Sequence, residues 1–418
     1  MSNASAPAIG DAAVLADLER VVLWPGHCGH GQAAWPFAAQ VLRRARRVAV
    51  IADPRVWPLA SPALQRAADR AGCRIAAVYD GVRSNPSLDE VRAAAAAIRA
   101  DRCDALVAIG GGSAIDTAKV AYATVFGGQA DPADLLAPGN AWMAGAPQAD
   151  DPLFLAVPTT AGTGSESSTA ALVKDEHGRK LMFRSARSRP GAVVLAPELT
   201  LGLPRAATAA GGFDALLHAM GALVNDCDAP VGAALAAESV VRALHAYPRV
   251  LATPDDADAR AAMLMASYLA GVAIGMKRVD AVHGLCTPLE GRVDMAHAEV
   301  LAAIFDPIAD HTARKAAASY ARAARRCGLA GPDEDDAQAA GRLLDAIRRM
   351  RALGGLPDRL PPLALTRDDA LALADQALLS PSTRLNPRAL DRDDIAGLYL
   401  DIAARSQAAP STVILPAP

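Results

Sequence analysis

Apolar residues in the first half of the chain fall into short unbroken runs separated by stretches of helical spacing. RVAVIAD at 47–53, CRIAAVYD at 73–80, LFLAVPTT at 153–160 and GAVVLAP at 191–197 read as strands. LDEVRAAAAAIRA at 88–100 has the helical period, and DALVAIGGGSAIDTAKVAYA at 104–123 passes from a strand into a helix. Such alternation needs crossovers, and so predicts a Rossmann-like, mostly parallel sheet in an α/β N-terminal domain.

Beyond Leu201 the pattern changes. ATAAGGFDALLHAMGALV, RAAMLMASYLAGVAIGM and ARKAAASYARAARRCG repeat apolar positions at helical spacing with hardly a strand between them, which predicts an all-α C-terminal domain. A chain of 418 residues is too long for one ordinary core, so the expected division is a flexible leader at 1–19, an α/β domain at 20–198 and a helical domain at 199–418. Composition agrees: 52% of residues are apolar and only 4% aromatic, which suits closely packed, alanine-rich helices.

Charge and cysteine usage narrow the function. The formal charge is −3, and the densest basic cluster, Arg43, Arg44, Arg46 and Arg47, precedes an apolar run as a solvated helix end would. A nucleic-acid partner is therefore not expected. The opening MSNASAPAIGDA lacks the basic start and apolar block of a secretory signal, and no uncharged apolar stretch approaches membrane-spanning length. The six cysteines are scattered without a CxxC. A soluble, cytoplasmic protein with free thiols and no membrane partner is the expectation.

Gly110, Gly111, Gly112 and Ser113 lie between a strand and a helix. Consecutive glycines let the backbone approach an anion, and the following helix aims its positive end at it, although a plain tight turn would look the same. Asp53 closes the run VAVIA, where a carboxylate can accept hydrogen bonds from ribose hydroxyls and repel a 2′-phosphate, favouring NAD over NADP; it could equally just start the DPRVW turn. PTTAGTGSES, 158–167, offers hydroxyls and amides after another strand. Asp214 and His218 are spaced i and i+4 on one helix face.

His283 and His297 are fourteen residues apart, roughly 21 Å along an unbroken helix, so they share one ion only if the chain turns back. Pro288 and Gly291 give it reasons to do so. Two unrelated histidines remain the alternative on spacing alone. One carboxylate and three imidazoles would suit Fe²⁺ or Zn²⁺ and leave the ion positive enough to act as a Lewis acid.

GGGSAIDTAK, VPTTAGTGSE, DALLHA, the His-x₁₃-His spacing and the late LNPR at 385–388 occur in an order that resembles the iron-containing alcohol dehydrogenase family, from about Arg20 to Leu400. The resemblance implies an NAD-binding α/β domain and a helical domain of the dehydroquinate synthase-like fold. It implies Asp214, His218, His283 and His297 as metal ligands, and Asp53 as the residue on the adenosine ribose. Asn85, Gly111, Gly112, Ser113, Thr159, Thr160, Thr163, Lys180 and Leu199 match cofactor contacts. A small alcohol or carbonyl substrate and a homodimer are further implications; His27 and His311 match no family role.

The chain also departs from the pattern. Similar proteins read VHxxxHPLG, with a histidine near the substrate; here that place is Thr287, and Glu290 stands where glycine is common. Threonine can relay a proton but is no base near neutral pH, so Thr287, a ribose hydroxyl or water is the expected relay. HGLCTPLEGRVDMAHAE leans towards the maleylacetate reductase branch, an oxoacid reductase, whereas GGGSAIDTAK and TAGTGSE look like the general alcohol dehydrogenases. Two rivals are a dehydroquinate-synthase-like lyase, whose metal set resembles one glutamate and two histidines, and a family member that binds without turnover.

Overall fold

The computed structural model describes residues 27–407; the leader expected at 1–19 lies outside them. Six parallel strands form the main sheet: β1 (His27–His30), β2 (Arg47–Ala52), β3 (Arg74–Tyr79), β4 (Ala105–Gly110), β5 (Leu153–Pro158) and β8 (Ala192–Leu195), in the order β1-β8-β5-β4-β2-β3. Between them come α1 (Ala34–Leu42), α2 (Trp57–Ala71), α3 (Leu88–Ala100) and α4 (Gly112–Phe126).

The strand alternation sorts side chains to two apolar layers. Ala49 and Ile51 of β2, with Leu106 and Ala108 of β4, face α3 and α4; Val48, Val50, Val107 and Ile109 face α1 and α2. The start of α3 is set by a capping box: Ser87 Oγ accepts the Glu90 N–H, and the Glu90 carboxylate accepts the Ser87 N–H at 2.7 Å.

Two pieces escape the apolar pattern. β1 reads HCGH and has no apolar run to announce it; it forms by pairing with β8. β6 (Ala170–Lys174) and β7 (Lys180–Arg184) form an antiparallel hairpin whose turn is held by Asp175 Oδ1, which accepts the N–H groups of His177 and Arg179.

No strand follows β8 among the described residues. The helices longer than four residues are α5 (Arg205–Val224), α6 (Pro230–Ala252), α7 (Ala257–Lys277), α8 (Ala281–Glu290), α9 (His297–Ala313), α10 (Ala317–Arg326), α11 (Asp336–Gly354), α12 (Arg367–Leu378) and α13 (Arg392–Gln407). By contact, the chain forms two compact units: residues up to Ala219 with Ala229–Lys277, and Met220–Asp228 with residues from Arg278 onward. The first unit thus includes α6 and α7 as well as the sheet. α5 and α7 are long and apolar enough to cross a membrane, but 78% and 72% of their most apolar windows are buried in the protein, as core helices would be.

Within the first unit, α7 reaches the loop after β5 through two glycines. A Cβ on Gly271 would stand 2.6 Å from Gly164 O and 2.8 Å from Gly164 Cα, and Gly164 itself has φ +62°. Backbone meets backbone there.

Candidate functional site

β2 and β4 are neighbours, and the strand order runs outward from them in opposite directions. Their carboxyl ends flank the crevice where open parallel sheets bind nucleotides. Asp53 follows β2, and its N–H donates to Ile109 O at 2.9 Å. Gly110 closes β4 at φ +149°, where a Cβ would lie 2.6 Å from Ala114 Cβ and 3.2 Å from Asp53 Cβ. Only glycine lets the strand turn into α4 at that place.

The next two glycines begin α4, whose N-terminus no side chain caps. A Cβ on Gly111 would lie 3.1 Å from Thr160 Oγ1, and one on Gly112 2.8 Å from Thr163 Cγ2. The TTAGTG segment therefore rests on the glycine loop. Thr159 is buried and its N–H donates to Gly110 O at 3.0 Å. Asn85, in the left-handed region at φ 54°, donates its N–H to Ser113 Oγ at 3.3 Å.

Lys180 opens β7 opposite Lys174, whose N–H donates to Pro86 O at 2.7 Å, beside Asn85. Leu199 lies in a short 3₁₀ turn, 197–200, and is buried in the apolar layer shared with α1 and α2. Helix start, glycine backbone and hydroxyls together make a cradle for a phosphate group.

Sequence reading took Asp53 alone and missed its neighbour. Arg55 grips both carboxylate oxygens, Nε to Oδ1 at 3.1 Å and Nη2 to Oδ2 at 2.7 Å, and holds the Asp53 carboxyl below the usual range. The DPR tripeptide was the available signal. A second omission lies inside the quoted SAIDTAK: Lys119 is 1% exposed and donates to Ser165 Oγ at 2.9 Å, Ser168 Oγ at 3.1 Å and Ala170 O at 2.7 Å.

Asp116 completes that network. Its carboxylate accepts from Ser165 Oγ at 2.5 Å and the Leu172 N–H at 2.8 Å, with Lys119 Nζ at 4.0 Å. Burial raises the Asp116 carboxyl and lowers the Lys119 ammonium to about 8. The i,i+3 charge pair ties α4 to the loop that carries Thr159, Thr160 and Thr163.

In the first unit, α5 carries Asp214 and His218 on successive turns, with His218 Nε2 3.7 Å from Asp214 Oδ1. Two donors bound at about 2 Å to one ion lie no more than about 4 Å apart, so this pair fits a shared cation. In the second unit, His283 is buried on α8 and His297 opens α9, with ring centroids 5.9 Å apart. The chain does turn back between them. Pro288 stays inside α8, and Gly291 follows at φ −77°, so the reversal occurs through residues 291–296 without left-handed glycine geometry. Thr287 is exposed on α8, one turn beyond His283.

LNPR has a structural role in that unit. The buried Asn386 accepts the Ala281 N–H at 3.3 Å through Oδ1 and donates to Thr312 Oγ1 at 3.1 Å, fixing the start of the helix that bears His283. Tyr399 donates to Leu285 O at 3.0 Å on the same helix. His311 contacts Arg388. A cavity of about 640 Å³ beside it, lined by Asp310, Asp394 and Arg405 among others, includes none of the residues singled out for cofactor or metal.

Residues 25–197 match the family model described as iron-containing alcohol dehydrogenase, and residues 208–403 match that of the Fe-containing alcohol dehydrogenase family, C-terminal. The chain is 35% identical to the phosphonoacetaldehyde reductase of Streptomyces viridochromogenes, over 85% of this chain and 90% of that protein. It is 33% identical to the 4-hydroxybutyrate dehydrogenase of Cupriavidus necator, over 82% and 88%. Among solved structures, the sulfoacetaldehyde reductase of Bifidobacterium kashiwanohense in complex with NAD⁺ is similar at 25% identity and TM-score 0.78, covering 91% of this chain and 98% of that one. The chain belongs to the iron-containing alcohol dehydrogenase family, and is an NAD-dependent oxidoreductase of alcohols and aldehydes.

Proposed function

We propose that this chain transfers a hydride between NAD and a short alcohol or aldehyde with an acidic tail, using Fe²⁺ held by Asp214, His218, His283 and His297. The glycine loop carries the cofactor half of the reading: a side chain at Gly111 or Gly112 would collide with Thr160 or Thr163 at the crevice between β2 and β4. Gly111, Gly112 and Ser113 receive the pyrophosphate, with Asn85, Thr159, Thr160, Thr163 and Lys180 around it and Leu199 beneath the adenine side. Asp53 takes the ribose hydroxyls once Arg55 gives up its grip.

For the metal, the donor set fits a divalent cation: one carboxylate and one imidazole already lie at ligand separation, and two further imidazoles are neighbours in the second unit. The cation supplies a Lewis acid for the substrate oxygen. Thr287 relays the proton between that oxygen and solvent, its exposure giving the hydroxyl access to water. Thr287→Ala is expected to lower kcat about 100-fold and to change its pH profile. Unchanged turnover from acid to alkaline pH would remove the threonine from the mechanism.

The acidic tail is inferred from relatives whose names specify carboxylate, phosphonate and sulfonate compounds. NADH formation with 4-hydroxybutyrate is expected to exceed that with 1-butanol by at least about tenfold in kcat/KM, the equivalent of about one charge-assisted hydrogen bond. Equal values for the two would refute the preference. NADH consumption with maleylacetate tests the oxoacid branch. A reducing cytoplasm and a homodimer complete the proposal, the first resting on six free cysteines.

A further inference from the structure

α8 ends on Glu290 and α9 begins on His297, and these two side chains meet across the turn. His297 Nδ1 and Glu290 Oε1 are hydrogen-bond partners, and because a carboxylate only accepts, the imidazole is the donor. Cys286, one turn earlier on α8, is fully buried, with its sulfur 3.7 Å from Glu290 Oε1 and 3.7 Å from His297 Nδ1. Glu290 is shielded, its side chain 12% exposed against 41% for His297. An imidazole that keeps its proton on Nδ1 has its lone pair on Nε2.

We propose that Glu290 is a positioning residue for the metal centre: its carboxylate holds His297 in the Nδ1-protonated form and leaves Nε2 as the ligand atom. A ligating histidine commonly donates its other ring N–H to a carboxylate or carbonyl, which fixes the ring and strengthens it as a donor. The Glu290 carboxylate comes from the last turn of the helix that bears His283, so α8 orients both histidines: one as its own side chain, the other through a hydrogen bond. The inference rests on the metal reading above.

The test uses the full-length protein loaded with Co²⁺ as the probe, comparing wild type with Glu290→Gly and Glu290→Gln. Chelator competition is expected to show Co²⁺ bound 10–100-fold more weakly in Glu290→Gly. Glu290→Gln should fall between, because a carboxamide oxygen still accepts from Nδ1–H. The visible Co²⁺ spectrum at saturation should be the same in all three, without a thiolate charge-transfer band, and metal-free thermal unfolding should not change.

Unaltered affinity would overturn the proposal, and lowered metal-free stability with unaltered affinity would reduce Glu290 to a staple between two helices. A saturated spectrum that changes on substitution, or a thiolate band in the wild type, would make Glu290 or Cys286 a ligand instead and overturn it as well. A wild type that binds NAD but no Co²⁺ would remove the metal reading and this inference together. Only the last outcome removes the metal itself, so the two levels are separable.

Discussion

Replacing His283 by alanine is expected to lower kcat/KM about 10³-fold or more while leaving NAD affinity unchanged. Lewis-acid stabilisation of the reacting oxygen contributes several kcal/mol, and each 1.36 kcal/mol is tenfold in rate. One of three proposed imidazole ligands is lost, and bound metal should fall with it. His283 lies in the second compact unit, whereas Asp53 and the glycine loop lie in the first, so the cofactor cradle itself is untouched. Metal content by elemental analysis, NADH formation and a fluorescence titration with NADH read the three quantities separately. A variant that turns over normally without metal would refute the ligand set.

Lys119→Met is expected to destabilise the protein by about 3–5 kcal/mol, the usual cost of leaving one member of a buried ion pair without its partner. Three hydrogen bonds go with the ammonium: those to Ser165, Ser168 and Ala170. Asp116 then keeps a largely buried carboxyl, 16% exposed, whose pKa burial already raises. The sign follows from that direction. A carboxyl raised on folding costs nothing below its unfolded range, and its ionisation costs stability as pH rises through the folded value. The deficit of the variant should therefore be larger at pH 8 than at pH 4, as read by denaturant unfolding at both. Lys119→Met combined with Asp116→Leu should cost less than the sum of the two single changes, since they share one network. Equal deficits at the two pH values would show that lost packing, not charge, governs this site.

Much of this was legible in the chain. Apolar runs located β2, β4, β5 and β8 because both faces of those strands are buried, β3 kept a readable run although it is a half-exposed edge strand, and α3 was marked by its period. β1 was not, since HCGH gains its strand geometry only from β8, a partner more than a hundred residues away in sequence. The β6–β7 hairpin was missed for a related reason: a short, half-exposed ribbon alternates too weakly to stand out, although its Asp175–Gly178 turn was there to be read.

At the site, glycines and ligand types were visible because their chemistry is rare and local. The supporting residues were not. Lys119 binds Ser165 across forty-six positions, Asn386 binds Ala281 across one hundred and five, and neither partnership leaves a periodic trace. Glu290 was noticed as a departure from a pattern, but its partner, His297, became evident only when the turn at 291–296 brought helix end and helix start together.

The meeting of Gly164 and Gly271 has a consequence for the sequences that this fold can explore. The loop that carries Thr160 and Thr163 and the middle of α7 share a space with room for neither side chain, and Ser167 Oγ would lie 2.2 Å from any Cβ at Gly271. Position 271 is thereby chosen by a loop a hundred residues upstream, and in any set of descendants the two sites should vary jointly or not at all. Recombining the α/β half of one relative with α7 of another would succeed or fail at this glycine pair before any question of catalysis arose.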